Sequence, residues 1–242
     1  MTNVITNETP NTNNHSDIHR LTMKTNGKEL VLIGTAHISK ESAQLVRQVI
    51  EEERPDCVCI ELDEKRFESL SKRKSWVNLN LKEIIYRKQL STLLANLVLA
   101  SYQKKLGDQL GIQPGTELLE AAKAAESLDI PVALCDRDVR VTMRRAWKST
   151  SIWKKGYLLA SLLTSLFDDT EITEEKLSEM RKSDVISELM EELGQSLPEL
   201  KRVLIDERDT FLSEKIKAAD GARIVAVVGA GHVAGIKLAL TE

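Results

Sequence analysis

Apolar and polar residues change their period several times along this chain, and each change marks an element. Ile18 to Met23 alternates with a period of two, as a half-buried strand does. Asn26-Gly27 follows, then a second strand-like run from Leu30 to Gly34, so the start of the chain predicts a hairpin. Past it, Ala43, Val46, Val49 and Ile50 recur at helical spacing, with Ser39 as the cap and Pro55 as the stop. Cys57 to Ile60 is a continuous apolar run that ends in Glu61-Leu62-Asp63. Strand, helix and strand in that order predict a β-α-β unit with parallel strands and a right-handed crossover.

From Glu64 to Glu126 the period is helical, with breaks at Gly107 and Gln113-Pro114-Gly115. Thr116 reads as the cap of a helix that Ala121, Ala122, Ala124 and Ala125 let pack closely. Pro131 opens another short strand, Val132 to Cys135, which again ends in acids, Asp136-Arg137-Asp138. Helices are expected to about Lys155 and then to Phe167, followed by an acidic, leucine-dotted region to Leu193. Pro198 opens a long helix to about Ala219, Gly221 ends it, Arg223 to Val228 is the last strand, and a final helix starts near His232. Trp147, Trp153 and Tyr157 lie near helical spacing and read as core or lid packing. The fold class is α/β: a mainly parallel sheet built from β-α-β units at both chain ends, with helical insertions capping its carboxyl edge. Residues 1–17, rich in Asn and Thr and without an apolar core, read as a disordered tail. Residues 18–242 read as a single domain with helical excursions at about 70–110 and 150–195.

One phrase is written twice. Val31-Leu32-Ile33-Gly34-Thr35-Ala36-His37 near the start matches Ala226-Val227-Val228-Gly229-Ala230-Gly231-His232 near the end. Each is a buried strand, a small-residue turn and a histidine in the pattern Gly-x-x-His. Open α/β sheets place ligands at the carboxyl ends of their strands, so two such histidines predict one shared site. The chain has four histidines; the other two, His15 and His19, lie near the N-terminus.

Four strand ends should therefore converge, carrying His37, then Glu61 and Asp63, then Asp136-Arg137-Asp138, then His232. Two imidazoles and a carboxylate suit a borderline divalent metal with an open position for water, and a remaining carboxylate can serve as general base. Arg137 can clamp a carboxylate or polarise a carbonyl with its planar fork. Asp138 also reads as a helix N-cap. Glu207 and Arg208 are adjacent on the long helix and cannot share a face, so they should have different partners.

Composition narrows the function classes. A net charge of −3 with 29% charged residues gives no nucleic-acid surface. The three cysteines, Cys57, Cys59 and Cys135, lack metal or redox spacing and read as small buried hydrophobes in a reducing compartment. The most apolar stretch, Ile84 to Tyr102, is interrupted by Arg87, Lys88, Gln89 and Asn96, and a spanning helix needs about 20 mostly apolar residues. An amphipathic helix is expected there instead.

The ordered set of motifs resembles the TraB family, which includes the pheromone-shutdown proteins of conjugative plasmid systems and belongs with the Tiki and GumN proteins. The matching residues are Gly34-Thr35-Ala36-His37, Pro55-Asp56, Glu61-Leu62-Asp63 with Arg66, and Pro114-Gly115 with Glu117. They continue with Asp136-Arg137-Asp138, Thr142, Arg145, Glu207-Arg208 and Gly229-Ala230-Gly231-His232-Val233 with Gly235-Ile236. The resemblance implies a metal-dependent peptidase, with a divalent ion (manganese, cobalt or zinc) held by His37, Glu61 and His232. Glu117, Arg137, Asp138, Glu207 and Arg208 would line the same crevice. It implies a peptide or protein substrate, pheromone-like in the plasmid systems. Two other functions stay open: a module that sequesters peptide without cleaving it, and a metal-free hydrolase using His and Glu. Bacterial members carry hydrophobic spans after this domain, so a membrane-associated full-length protein is one expectation and a cytoplasmic one the other. A homo-oligomer docked through residues 84–106 is compatible with each reading.

Overall fold

The hairpin forms where alternation and Asn26-Gly27 place it. In the computed structural model, which describes residues 17–35, 40–71, 115–156, 160 and 191–241, strand β1 (Ile18–Thr22) pairs antiparallel with β2 (Glu29–Thr35). The connecting loop is longer than a two-residue turn: the Met23 and Lys28 backbones bond across it, and Gly27 takes a φ of +69°. Helix α1 (Lys40–Glu53) follows, then β3 (Cys57–Ile60), helix α2 (Glu64–Ser71) and helix α3 (Thr116–Ser127). Next come β4 (Val132–Leu134), helix α4 (Val139–Ser149) and a helical stretch over 152–156. Helix α5 (Pro198–Lys201) runs through a π-helical turn at Arg202–Asp206 into α6 (Glu207–Ala218). Strand β5 (Arg223–Gly229) and helix α7 (Ala230–Thr241) finish the described chain.

The sheet order is β1-β2-β5-β3-β4, with every pair after the hairpin parallel. The strand-helix-strand unit at the start of the chain is thus parallel as its pattern predicts, but its two strands are not neighbours. The last strand lies between them. β5 fits there because both of its faces are apolar, and each face meets a separate layer. Val225 and Val227 join Val31, Ile33, Val58 and Ile60 under α1 and α3. Ile224, Ala226 and Val228 join Leu30, Leu32 and Cys59 under α6 and α7. The result is a sheet covered by helices on both faces.

Several details differ from the sequence reading. Gly115, in the left-handed conformation at φ +86°, holds the cap position of α3, and Thr116 is the first helical residue. Trp147 and Trp153 are not packing residues. Trp147 stands 58% exposed, because α4 turns Thr142 and Ala146 inward, and Trp153, in the stretch after α4, stands 87% exposed. The three cysteines are buried and unbridged, as expected of small apolar residues. Ser39, Tyr157, the stretch 84–106 and most of the two excursions lie outside the described residues. Among the described residues no helix is long and apolar enough to cross a membrane.

Asp56 ties the start of β3 to the start of β5. Its Oδ2 accepts from the Ala222 and Arg223 amides at 2.7 and 2.8 Å, and these bonds hold its carboxyl below the usual carboxylate range. Gly221 makes that approach possible: its φ is +99°, and a Cβ there would lie 2.1 Å from the Asp56 Cβ. Gly221→Ala should therefore cost about 2 kcal/mol or more through backbone strain alone. Urea unfolding should show a lower midpoint at unchanged slope; a shift worth less than about 0.5 kcal/mol would contradict the account.

Candidate active site at the carboxyl edge of the sheet

Parallel strands bring all their carboxyl ends to one edge, and the helices bring their own termini to meet them. α3 ends beside the start of β4, and α6 ends just before the start of β5, so both run against the strands. Their first turns, with Glu117 and with Glu207-Arg208, therefore lie at the carboxyl edge. α7 starts there directly from β5, which carries His232 to the same place.

Glu61 is the first residue after β3 and is buried. Its Oε2 accepts the Gly229 amide at 2.6 Å, so the end of β5 fixes the carboxylate's orientation. Its Oε1 meets the Arg208 guanidinium and lies 3.5 Å from Nε2 of His232. The other nitrogen of that imidazole, Nδ1, lies 2.5 Å from Oδ1 of Asp209. A carboxylate on Nδ1 sets the ring's orientation and tautomer and leaves Nε2 directed at Glu61.

Arg208 joins two strand ends. Besides Glu61 it reaches Asp136 after β4, with Nη2 2.7 Å from Oδ2 and Nε 3.3 Å from Oδ1. Arg66 of α2 reaches the same Asp136 oxygen at 2.5 Å and Asp63 at 2.6 Å. Asp63 also accepts the Lys65 and Arg66 amides and so caps α2. Burial pushes the Asp136 carboxyl up, but hydrogen bonds and charge from Arg208 and Arg66 more than reverse this and hold it below its ordinary value. Burial disfavours charge on Arg208 too, and Asp136 and Glu61 outweigh it.

A second cluster braces the wall beside this one. Glu207 accepts from Arg145 at 2.8 and 2.9 Å and from Arg137 at 3.1 Å. Arg145 first, with Arg137 adding to it, holds its carboxyl below the usual range against the opposing effect of burial. Arg137 also bonds Thr142 and the Val203 carbonyl, both at 2.8 Å. Glu207 and Arg208 thus serve different partners, as their adjacency requires.

The residue order of this edge matches a known family. A model of the TraB/PrgY/gumN family fits residues 20–242. The chain belongs to that family. It is 34% identical over 211 residues to the protein MJ1365 of Methanocaldococcus jannaschii, covering 86% of this chain and 52% of that one. It is 29% identical over 237 residues to the TraB domain-containing proteins of Bos taurus and Homo sapiens, covering 87% of this chain and 62% of each of those. This TraB-family chain therefore spans between half and two thirds of the length of these relatives.

Within the family frame, the structure joins Glu61, His232, Arg208, Arg137 and Glu207 into two contiguous clusters. Asp138 sits at their rim as the N-cap of α4, accepting the Arg140 amide at 2.8 Å, and pairs with Lys65 at 2.5 Å. Glu117 lies fully buried in the first turn of α3, on the opposite face of the sheet from α6. His37 lies outside the described residues, two positions after Thr35, which pairs in register with Gly229.

Asp209 is the residue at this candidate site that the sequence reading passed over. A signal for it exists: it precedes Leu212 and Ile216 at helical spacing, so it stands on the buried stripe of α6, where an isolated acid needs a partner. Gly235 supplies the complementary space, since a Cβ there would lie 2.0 Å from Oδ2 of Asp209. The π-helical turn just before Glu207 was invisible, because Val203-Leu204-Ile205 suits either helix type.

Proposed function

We propose that this TraB-family domain is a metal-dependent hydrolase that cleaves peptide bonds in a peptide or protein segment. The observation that carries this reading is the chain Asp209–His232–Glu61 at the carboxyl edge, with an imidazole nitrogen and a carboxylate oxygen 3.5 Å apart. Two donors about 2.1 Å from one tetrahedral ion sit about 3.4 Å from each other, so the spacing suits a shared cation. Charge supports it as well. Glu61, Asp63, Asp136 and Asp209 are four buried carboxylates against two guanidiniums, Arg66 and Arg208. Among the described residues no three His, Cys, Asp or Glu side chains converge on one point, so the third donor would be His37. A divalent ion bound there would lower the pKa of its water toward neutrality and polarise a carbonyl.

The chain's own residues have separable tasks in this reading. Asp209 keeps the proton on Nδ1 of His232 and so leaves Nε2 as a donor. The Gly229 amide holds Oε2 of Glu61, and Oε1 lies between the Arg208 guanidinium and Nε2 of His232. Arg137 and Arg145, locked by Glu207, stiffen the wall where a peptide would lie.

The test is elemental analysis of untagged protein beside the His37→Ala/His232→Ala double variant, after exposure to manganese, cobalt and zinc. Near-stoichiometric metal in the wild type, lost in a folded variant, is the expected result. No metal in either protein would overturn it. The same carboxylate-oriented imidazole also suits a general base that activates water directly, and full peptide cleavage after exhaustive chelation would select that mechanism.

A further inference from the structure

Seven large apolar side chains are exposed among the described residues, and six of them lie between Val139 and Trp153. The concentration is local and so is the charge. Residues 139–156 carry six basic side chains and no acidic one, in a chain whose net charge is −3. We propose that this segment is a docking surface for an anionic lipid bilayer.

Helical spacing arranges the two kinds of residue side by side. At 100° per residue, Val139, Met143 and Trp147 form one stripe of α4, and Arg140, Arg144 and Lys148 form the next. Thr142 and Ala146 face inward, so both stripes face out. The stretch 152–156 continues the surface with Ile152, 74% exposed, and Trp153, 87% exposed. Lys155 lies over the Trp147 ring at 5.0 Å and ties the stretch to α4.

The sign of the charge selects the occupant. The carboxylates beside this surface are already engaged: Glu199 with Lys154, Glu207 with Arg145 and Asp138 with Lys65. Arg144 and Lys148 make no ion pair among the described residues. Exposed tryptophan and aliphatic tips beside unpaired cations suit a headgroup layer, where rings enter the interface and cations meet phosphates. A protein partner would be met by unpaired groups of both signs, and among the described residues the charge left unpaired on this surface is positive.

The test is co-sedimentation of the full chain with vesicles of phosphatidylcholine alone and of phosphatidylcholine mixed with phosphatidylglycerol. The protein should partition to the anionic vesicles and not to the neutral ones, with a blue shift in tryptophan emission. Arg144→Glu/Lys148→Glu and, separately, Trp153→Ser should each weaken partitioning about tenfold or more while circular dichroism is unchanged. Equal partitioning to both vesicle types would overturn the proposal, as would variants that bind like the wild type. So would binding to poly-glutamate but not to vesicles, or a concentration-dependent self-association that the same variants abolish.

Discussion

Arg208→Leu should cost about 3–5 kcal/mol of folding stability, because it leaves buried carboxylates without their cation. Arg208 is the only described side chain that reaches both Glu61 and Asp136. Asp136 would keep Arg66, but Glu61 would keep only the Gly229 amide and the His232 ring. The pH response should change with it. A carboxyl held low in the folded state stabilises the fold above its unfolded value of about 3.9, and that stabilisation is lost as pH falls through the folded value. With Arg208 gone, Asp136 loses its larger source of depression, so acid unfolding should begin at a higher pH than in the wild type. Urea titrations at neutral and at acid pH read both effects. A variant within about 1 kcal/mol of the wild type at neutral pH would mean that the cluster relaxes around the gap.

Asp209→Asn should act on function and spare the fold. The amide keeps the shape of the carboxylate but removes the charge that orients His232. Loss of such a supporting group weakens metal binding or activity by about 10- to 100-fold. Gly235→Ala should reach the same end by steric means, since its Cβ would displace the Asp209 carboxylate. Competition against a metal-sensitive dye measures affinity directly, and circular dichroism reports the fold. If both variants hold metal as tightly as the wild type, Asp209 does not support a metal ligand and its assigned role at His232 fails.

What the sequence reveals here depends on which physical signal each feature leaves. Strand ends were legible because the apolar runs at 31–33, 57–60 and 224–228 stop abruptly at glycine or acid, and the fold class follows from that spacing. Different partners for Glu207 and Arg208 were legible because helix geometry forbids neighbours from sharing a face. The place of β5 between β2 and β3 was not legible, because an apolar strand fits any interior position and strand order leaves no periodic trace. Asp209 was legible in principle from its place on the buried stripe, yet its charged neighbours Asp206, Glu207 and Arg208 masked it. Trp147 misled because aromatic residues at helical spacing usually pack, whereas α4 buries its small residues instead.

The position of β5 also bears on how the chain is made. A nascent chain that has not yet reached Arg223 contains the β1–β2 hairpin and the β3–β4 pair, but among the described residues no strand to pair them. Each half then presents an open parallel edge, the kind of surface that pairs with other chains. Glu61 has no Gly229 amide and no His232 at that stage, so the candidate site cannot assemble ahead of the sheet. Synthesis of the last strand joins the two halves of the sheet, and α7 then brings Ile236 and Leu240 to the core and His232 to the carboxyl edge.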